Sequence, residues 1–184
     1  MSWRLAQCGR PKAVGQPKEL ALQQAQDYVD AVVESDISRV DGVRRNPERV
    51  CMLMRSYARM TTSQGSYETM LRGVAKLGLS FGRTSFLEYV AALKRLFVTD
   101  DLGAWNSNLR AKEDIRTSPT RHFVDPSIAT AALGAGPGDL MGDLNTFGLV
   151  FESLCVSSQS ECDVKICVVF ASEASYDSSR MRGG

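Results

Sequence analysis

Two neighbouring stretches, SYETMLRGVAKLG (residues 66–78) and RTSFLEYVAALKRLF (83–97), constrain this chain more than any other feature. In the first, Tyr67, Met70, Leu71 and Val74 recur three and four residues apart; in the second, Phe86, Tyr89, Val90, Leu93, Leu96 and Phe97 do the same. That spacing puts each set on one face of an α-helix, and each face must be buried against something. The connector LGLSFG is too short to let the helices part, so the pair predicts a helix-turn-helix. Ser66 is a cap candidate for the first helix, and Ser85 with Glu88 forms an S-x-x-E capping box for the second.

The same periodicity extends in both directions. Residues 18–40 carry Leu22, Ala25, Tyr28, Val29, Val32 and Val33 on one stripe, with Asp27, Asp30 and Glu34 largely opposite, and Gly42 stops the helix. Asn46 and Pro47 open another helix, the first as cap and the second at a position where its missing N–H costs nothing. Its stripe is Val50, Leu53, Met54, Tyr57 and Ala58. Downstream, Asp125 and Pro126 repeat the device ahead of PSIATAALG, which Gly134 and the Gly136–Pro137 pair terminate. A last helix is expected from about Asp139, using Leu140, Leu144, Phe147, Val150, Phe151 and Leu154.

Between these blocks FVTDDLGAW reads as a short strand, NSNLRAKEDIRTSPT as a polar loop, and RHFV (121–124) as a second strand. Two strands around a loop directly after a helix-turn-helix predict a winged helix. The fold class expected is therefore mainly α, with a helical connector over 1–63, a winged-helix-like domain over 64–125 and further helix over 126–156. The remainder, 157–184, is serine-rich and is expected to lack regular structure.

Little in the chain carries chemistry directly. It has no G-x-x-x-x-G-K-[ST] phosphate loop, no G-x-G-x-x-G, G-x-S-x-G or H-E-x-x-H. Five cysteines without C-x-x-C spacing, and a single histidine, give no metal-ligand pattern. The segment MSWRLAQCGRPKAVG lacks the apolar core of a secretory signal, and the apolar runs are too short to cross a bilayer, so a cytoplasmic protein with reduced thiols is expected. His122 sits between Arg121 and Asp125 in a strand-to-helix junction; a structural histidine, a surface arginine and a helix cap explain the three better than a catalytic cluster does.

Charge is uneven. Residues 39–121 carry fifteen basic and eight acidic side chains, while 122–184 carry three and eight. A basic middle suits an anionic partner. If that partner is nucleic acid, the contacts would come from Arg72, Lys76, Arg83, Lys94 and Arg95 on the two helices, with Arg110, Lys112 and Arg116 from the wing. Glu88, Glu113 and Asp114 oppose it, which makes a protein-contacting winged helix at least as good a reading.

Taken in order, DYVDAVVESDISRVDGVRR, YVAALKRLFVTDDLGAWNSNLR, RTSPTRHFVDPSIATAALGAGP and TFGLVFESL resemble the C-terminal region of a prokaryotic family of predicted AAA-type ATP-binding proteins, and CGRPKAVGQ resembles the glycine-rich entry to that region. The resemblance covers about residues 9–156. It implies an ATP-binding core that this chain lacks, then the winged-helix-like segment, then the start of a nuclease-like α/β domain. Glu152 matches the helix glutamate of that nuclease-like domain. The acid-x-lysine triplet in ECDVK, with Asp163 and Lys165, follows the helix too soon for the intervening hairpin. On this resemblance the chain is a truncated, non-catalytic accessory module, holding neither ATP nor magnesium, with an altered reading frame a candidate origin of its end. Its expected partners are protein (the ATPase core or a second copy) or DNA, and no membrane.

Overall fold

The computed structural model describes residues 16–76, 78, 80–103 and 119–160. The wing residues Arg110, Lys112 and Arg116, the ECDVK triplet and the rest of the serine-rich end lie outside them. Helix α1 (Lys18–Ala31) continues through a single π turn (Val32–Asp36) into the short α2 (Ile37–Arg39). At the π turn the Ser35 hydroxyl donates to the Ala31 carbonyl at 3.1 Å, competing with the backbone for that acceptor.

The turn to the next helix is pinned by one side chain. Arg45, only 6% exposed, donates to the Ile37 carbonyl (2.7 Å), which α2 leaves free, and forks both guanidinium nitrogens onto the Asp41 carboxylate at 2.7 Å each. Helix α3 (Pro47–Ala58) then starts as its sequence dictates, with Asn46 Oδ1 accepting from the Arg49 amide at 3.2 Å and Pro47 in the first turn. Its stripe Val50, Leu53, Met54, Tyr57 and Ala58 is buried.

Helix α4 (Tyr67–Lys76) takes the expected Ser66 cap, whose hydroxyl accepts from the Thr69 amide at 3.2 Å. Helix α5 (Arg83–Arg95) does not use the predicted Ser85–Glu88 box. It begins three residues earlier, after Gly82, because the Phe81 ring packs edge-on against Phe86 (6.0 Å between centroids) and Tyr89 (5.2 Å). Phe81 and Phe86 occupy the positions of a hydrophobic staple, and burying two aromatic rings outweighs one hydroxyl cap.

Helix α5 closes with paired bonds from the Phe97 amide to the Lys94 carbonyl and from the Val98 amide to the Leu93 carbonyl, both 3.0 Å. This is a Schellman ending, and the residue in the left-handed position is Phe97, with φ of 52°. Residues 98–102 then run antiparallel to 120–124. The Val124, Asp100 and Leu102 amides donate to Val98, His122 and Thr120, and the Thr120 amide returns a bond to Leu102. The expected strands thus exist only as a short pairing with isolated bridges at Thr99–Phe123 and Leu102–Thr120. Among the described residues no longer strand forms, so the structure is mainly helical.

The stretch DPSIATAAL becomes the centre of the molecule. Asp125 Oδ1 accepts from the Ser127 amide at 2.8 Å to open α6 (Pro126–Leu133), and Gly134 closes it in the left-handed region at φ 68°. Pro126 through Thr130 are all buried. Small side chains let α1, α3 and the last helix approach α6 closely; the stretch expected as one helix from Asp139 is two, α7 (Pro137–Gly142) and α8 (Leu144–Ser160). Asp143 breaks them apart, accepting from the Asn145 and Thr146 amides (3.1 and 3.2 Å) and the Thr146 hydroxyl (2.6 Å).

One large core holds Val29, Val50, Leu53, Met54, Tyr57, Met70, Val74, Phe86, Leu93, Phe123 and Ile128 together, drawing on every element from α1 to α6. Leu140 and Val150 form a separate small core, flanked by Phe147, Phe151 and Leu154. Helices α7 and α8 are thus a satellite of the main body.

Candidate functional site

Among the described residues, ionisable side chains converge most densely under the pairing of 98–102 with 120–124. The Asp101 carboxylate, 3% exposed, receives Lys94 Nζ at 2.7 Å, Arg121 Nη1 and the Tyr57 hydroxyl in short contacts, and the Tyr67 hydroxyl at 3.2 Å. Each partner comes from a different element: Tyr57 from α3, Tyr67 from α4, Lys94 from α5, and Arg121 from the strand-like segment before α6. The Arg121 guanidinium stacks over the Tyr67 ring at 4.1 Å and donates through Nε to the Gly65 carbonyl at 3.0 Å. Its backbone is fixed as well, accepting from the Thr62 amide (2.7 Å) and donating to the Ser63 carbonyl (3.0 Å).

The electrostatics follow from this geometry. Burial would push the Asp101 carboxyl up, but hydrogen bonds from Lys94 and Tyr57 and the charge of Arg121 outweigh burial and hold it below its ordinary value. Burial likewise opposes charge on Lys94, and the bond to Asp101 reverses the sign, leaving the ammonium above its ordinary value. Burial, reinforced by the donated bond to Asp101, raises Tyr57. At neutral pH the cluster is one carboxylate, two cations and two phenols, with every oxygen of the carboxylate occupied. It has no vacant acid, base or ligand position.

His122 projects elsewhere. It is buried at 4% exposure, with Nδ1 at 3.5 Å from Ser153 Oγ on α8. Burial drives its pKa below the ordinary value, although the carboxylates of Glu152, Asp101 and Asp100 push the other way. A serine beside a histidine suggests nucleophilic chemistry, yet Ser153 is fully buried and no substrate carbonyl can reach it. Glu152 itself points outward on the exposed side of α8. No group of three or more metal-ligating residue types forms among the described residues.

The cationic residues expected to meet nucleic acid are distributed differently from one binding face. Lys94 is held by Asp101, and Arg95 lies 3.7 Å from Asp41. Arg83 pairs with Glu68 at 3.0 Å, and Arg72 donates to the Thr69 hydroxyl at 3.3 Å. Lys76 is exposed in the last turn of α4. Arg121, expected as surface charge, is instead the most enclosed cation of the Asp101 cluster, because the loop before α4 folds over it. The sequence offered a signal for that cluster in the Asp100–Asp101 pair facing Arg121–His122 across the predicted strands. Nothing in the spacing of Tyr57 or Tyr67 distinguished them from ordinary core residues.

Residues 4–139 match a family described as "Domain of unknown function (DUF8612)". No curated protein matches the chain. No solved structure matches it.

Proposed function

The chain belongs to the family of the domain of unknown function DUF8612, and we propose that within it this protein is a non-catalytic helical module that binds another protein. The observation that carries the reading is the closed Asp101 cluster. The densest convergence of ionisable groups among the described residues is consumed in tying four elements together, and Lys94, Arg95 and Arg83 are already engaged by Asp101, Asp41 and Glu68. With Arg83, Lys94 and Arg95 each set against a carboxylate, this face suits protein contact better than a polyphosphate backbone, which needs free cations.

Helices α4 and α5, followed by the in-register antiparallel pairing, support a winged-helix reading of residues 64–125. The resemblance to AAA-type ATP-binding proteins supplies the partner class: an ATPase core that the module would accompany. The test combines two measurements on the purified chain. Neither ATP hydrolysis nor magnesium-dependent DNA cleavage is expected, and a stable complex with an ATPase core of that type is expected by light scattering after gel filtration. Turnover abolished by Glu152→Ala would overturn the non-catalytic reading. DNA binding that weakens steeply with salt, without any protein complex, would replace the protein partner by nucleic acid.

A further inference from the structure

The chain has a single histidine, and the fold buries it at the seam between the main body and its satellite. His122 belongs to the strand-like segment whose neighbour Phe123 is part of the large core, while its imidazole faces Ser153 on α8. Across this seam the two apolar clusters are separate: Leu140 and Val150, with Phe147, Phe151 and Leu154, form their own group. The seam is crossed by a long bond from the Thr62 hydroxyl to the Leu149 carbonyl of α8 (3.3 Å) and by the His122–Ser153 contact. A satellite with a small core of its own opens at lower free energy than the body it rests on.

We propose that His122 is a pH-controlled latch: neutral imidazole seats α7 and α8 on the body, and protonation releases them. The chemistry is that of a cation formed inside a packed seam. Neutral imidazole can accept from or donate to the Ser153 hydroxyl through Nδ1; imidazolium can only donate, and its charge must be solvated. The groups facing it are few. Helix α6 carries no titratable side chain, and Arg121 is neutralised by Asp101. Asp100 and Asp101 on the paired segment and Glu152 on α8 favour the cation, but burial outweighs all three. Among the described residues the ring's side-chain contact is the Ser153 hydroxyl rather than any of these carboxylates. Water reaching the seam as α8 lifts away is therefore what stabilises the imidazolium.

The test uses the full chain and its one imidazole resonance. By NMR, His122 is expected to titrate below the free-histidine value of about 6.5. Amide exchange, corrected for intrinsic pH dependence, is expected to quicken in α8 by up to about tenfold per pH unit between about 6.5 and that titration point and to level off below it, with α3 and α5 unaffected. His122→Gln is expected to remove the pH dependence of α8 exchange. Titration at the free value, or α8 exchange that keeps its pH dependence in His122→Gln, would overturn the latch. If that variant misfolds, the wild-type titration and exchange still decide the matter, because a latch requires both to move together.

Discussion

Asp101 shows how a single carboxylate organises this molecule. Its partners neutralise it by enclosing it, and the Arg121 guanidinium that it balances is 3–4% exposed in side chain and residue alike. Replacing Asp101 by Asn keeps the shape but leaves the buried Arg121 guanidinium, and the more exposed Lys94, without a counter-charge. Removing one member of a buried pair costs about 3–5 kcal/mol, so chemical denaturation of Asp101→Asn is expected to show a loss of that order. A loss below about 1 kcal/mol, the range of exposed pairs, would mean that the cluster is open to water. Phe97 makes the opposite case. Its backbone sits at φ 52° while its side chain is 79% exposed, so the residue bears left-handed strain with little burial in return. Phe97→Gly is expected to raise stability by about 1 kcal/mol, read as a shift in denaturation midpoint. Destabilisation instead would show that the ring makes contacts which its exposure conceals.

At the scale of elements, the helix starts fall into two kinds, and they differ in how legible they were. Asn46–Pro47 and Asp125–Pro126 were readable because the cap is local: a side chain bonds an amide two or three residues along, and proline fixes the next φ. The start of α5 was misread, since the Ser85–Glu88 box has the right letters but Phe81 packs on Phe86 and Tyr89 and draws the helix back to Gly82. Packing of that kind depends on where α3 lies and cannot be read from spacing. The same distinction explains the site. Helical stripes exposed the core positions Tyr57 and Tyr67, but which core hydroxyl meets a carboxylate is decided by how four elements meet. A pair of substitutions separates the two kinds of start. Asn46→Ala is expected to cost about 1 kcal/mol, whereas Ser85→Ala should stay within about 0.5 kcal/mol. Thermal unfolding of both variants checks this, and equal losses would restore the capping box.

The whole molecule integrates these charges into a pH profile of stability. His122 and Asp101 both have folded-state pKa values below their unfolded ones. A depressed pKa contributes stability that is present above the unfolded value and is lost as pH falls through the folded one. Stability is therefore expected to decline first below about 6.5, where the unfolded chain's histidine protonates ahead of the folded one, and again below about 3.9, where the same holds for Asp101. Lys94 and Tyr57 have raised values, so their contributions are complete below the unfolded values of about 10.4 and 10 and are lost as pH rises through the folded ones. A plateau between about pH 7 and 10 follows. The two acid steps differ in what they disrupt. Asp101 joins α3, α4 and α5 to the segment before α6, so its protonation weakens the large core, whereas His122 lies where α8 meets that body. Denaturant midpoints measured across pH should show both steps in the wild type. The His122→Gln variant should lose only the step near neutrality, and Asp101→Asn only the step in strong acid. Loss of both steps in either variant would mean that the body and its satellite titrate as a single cooperative unit.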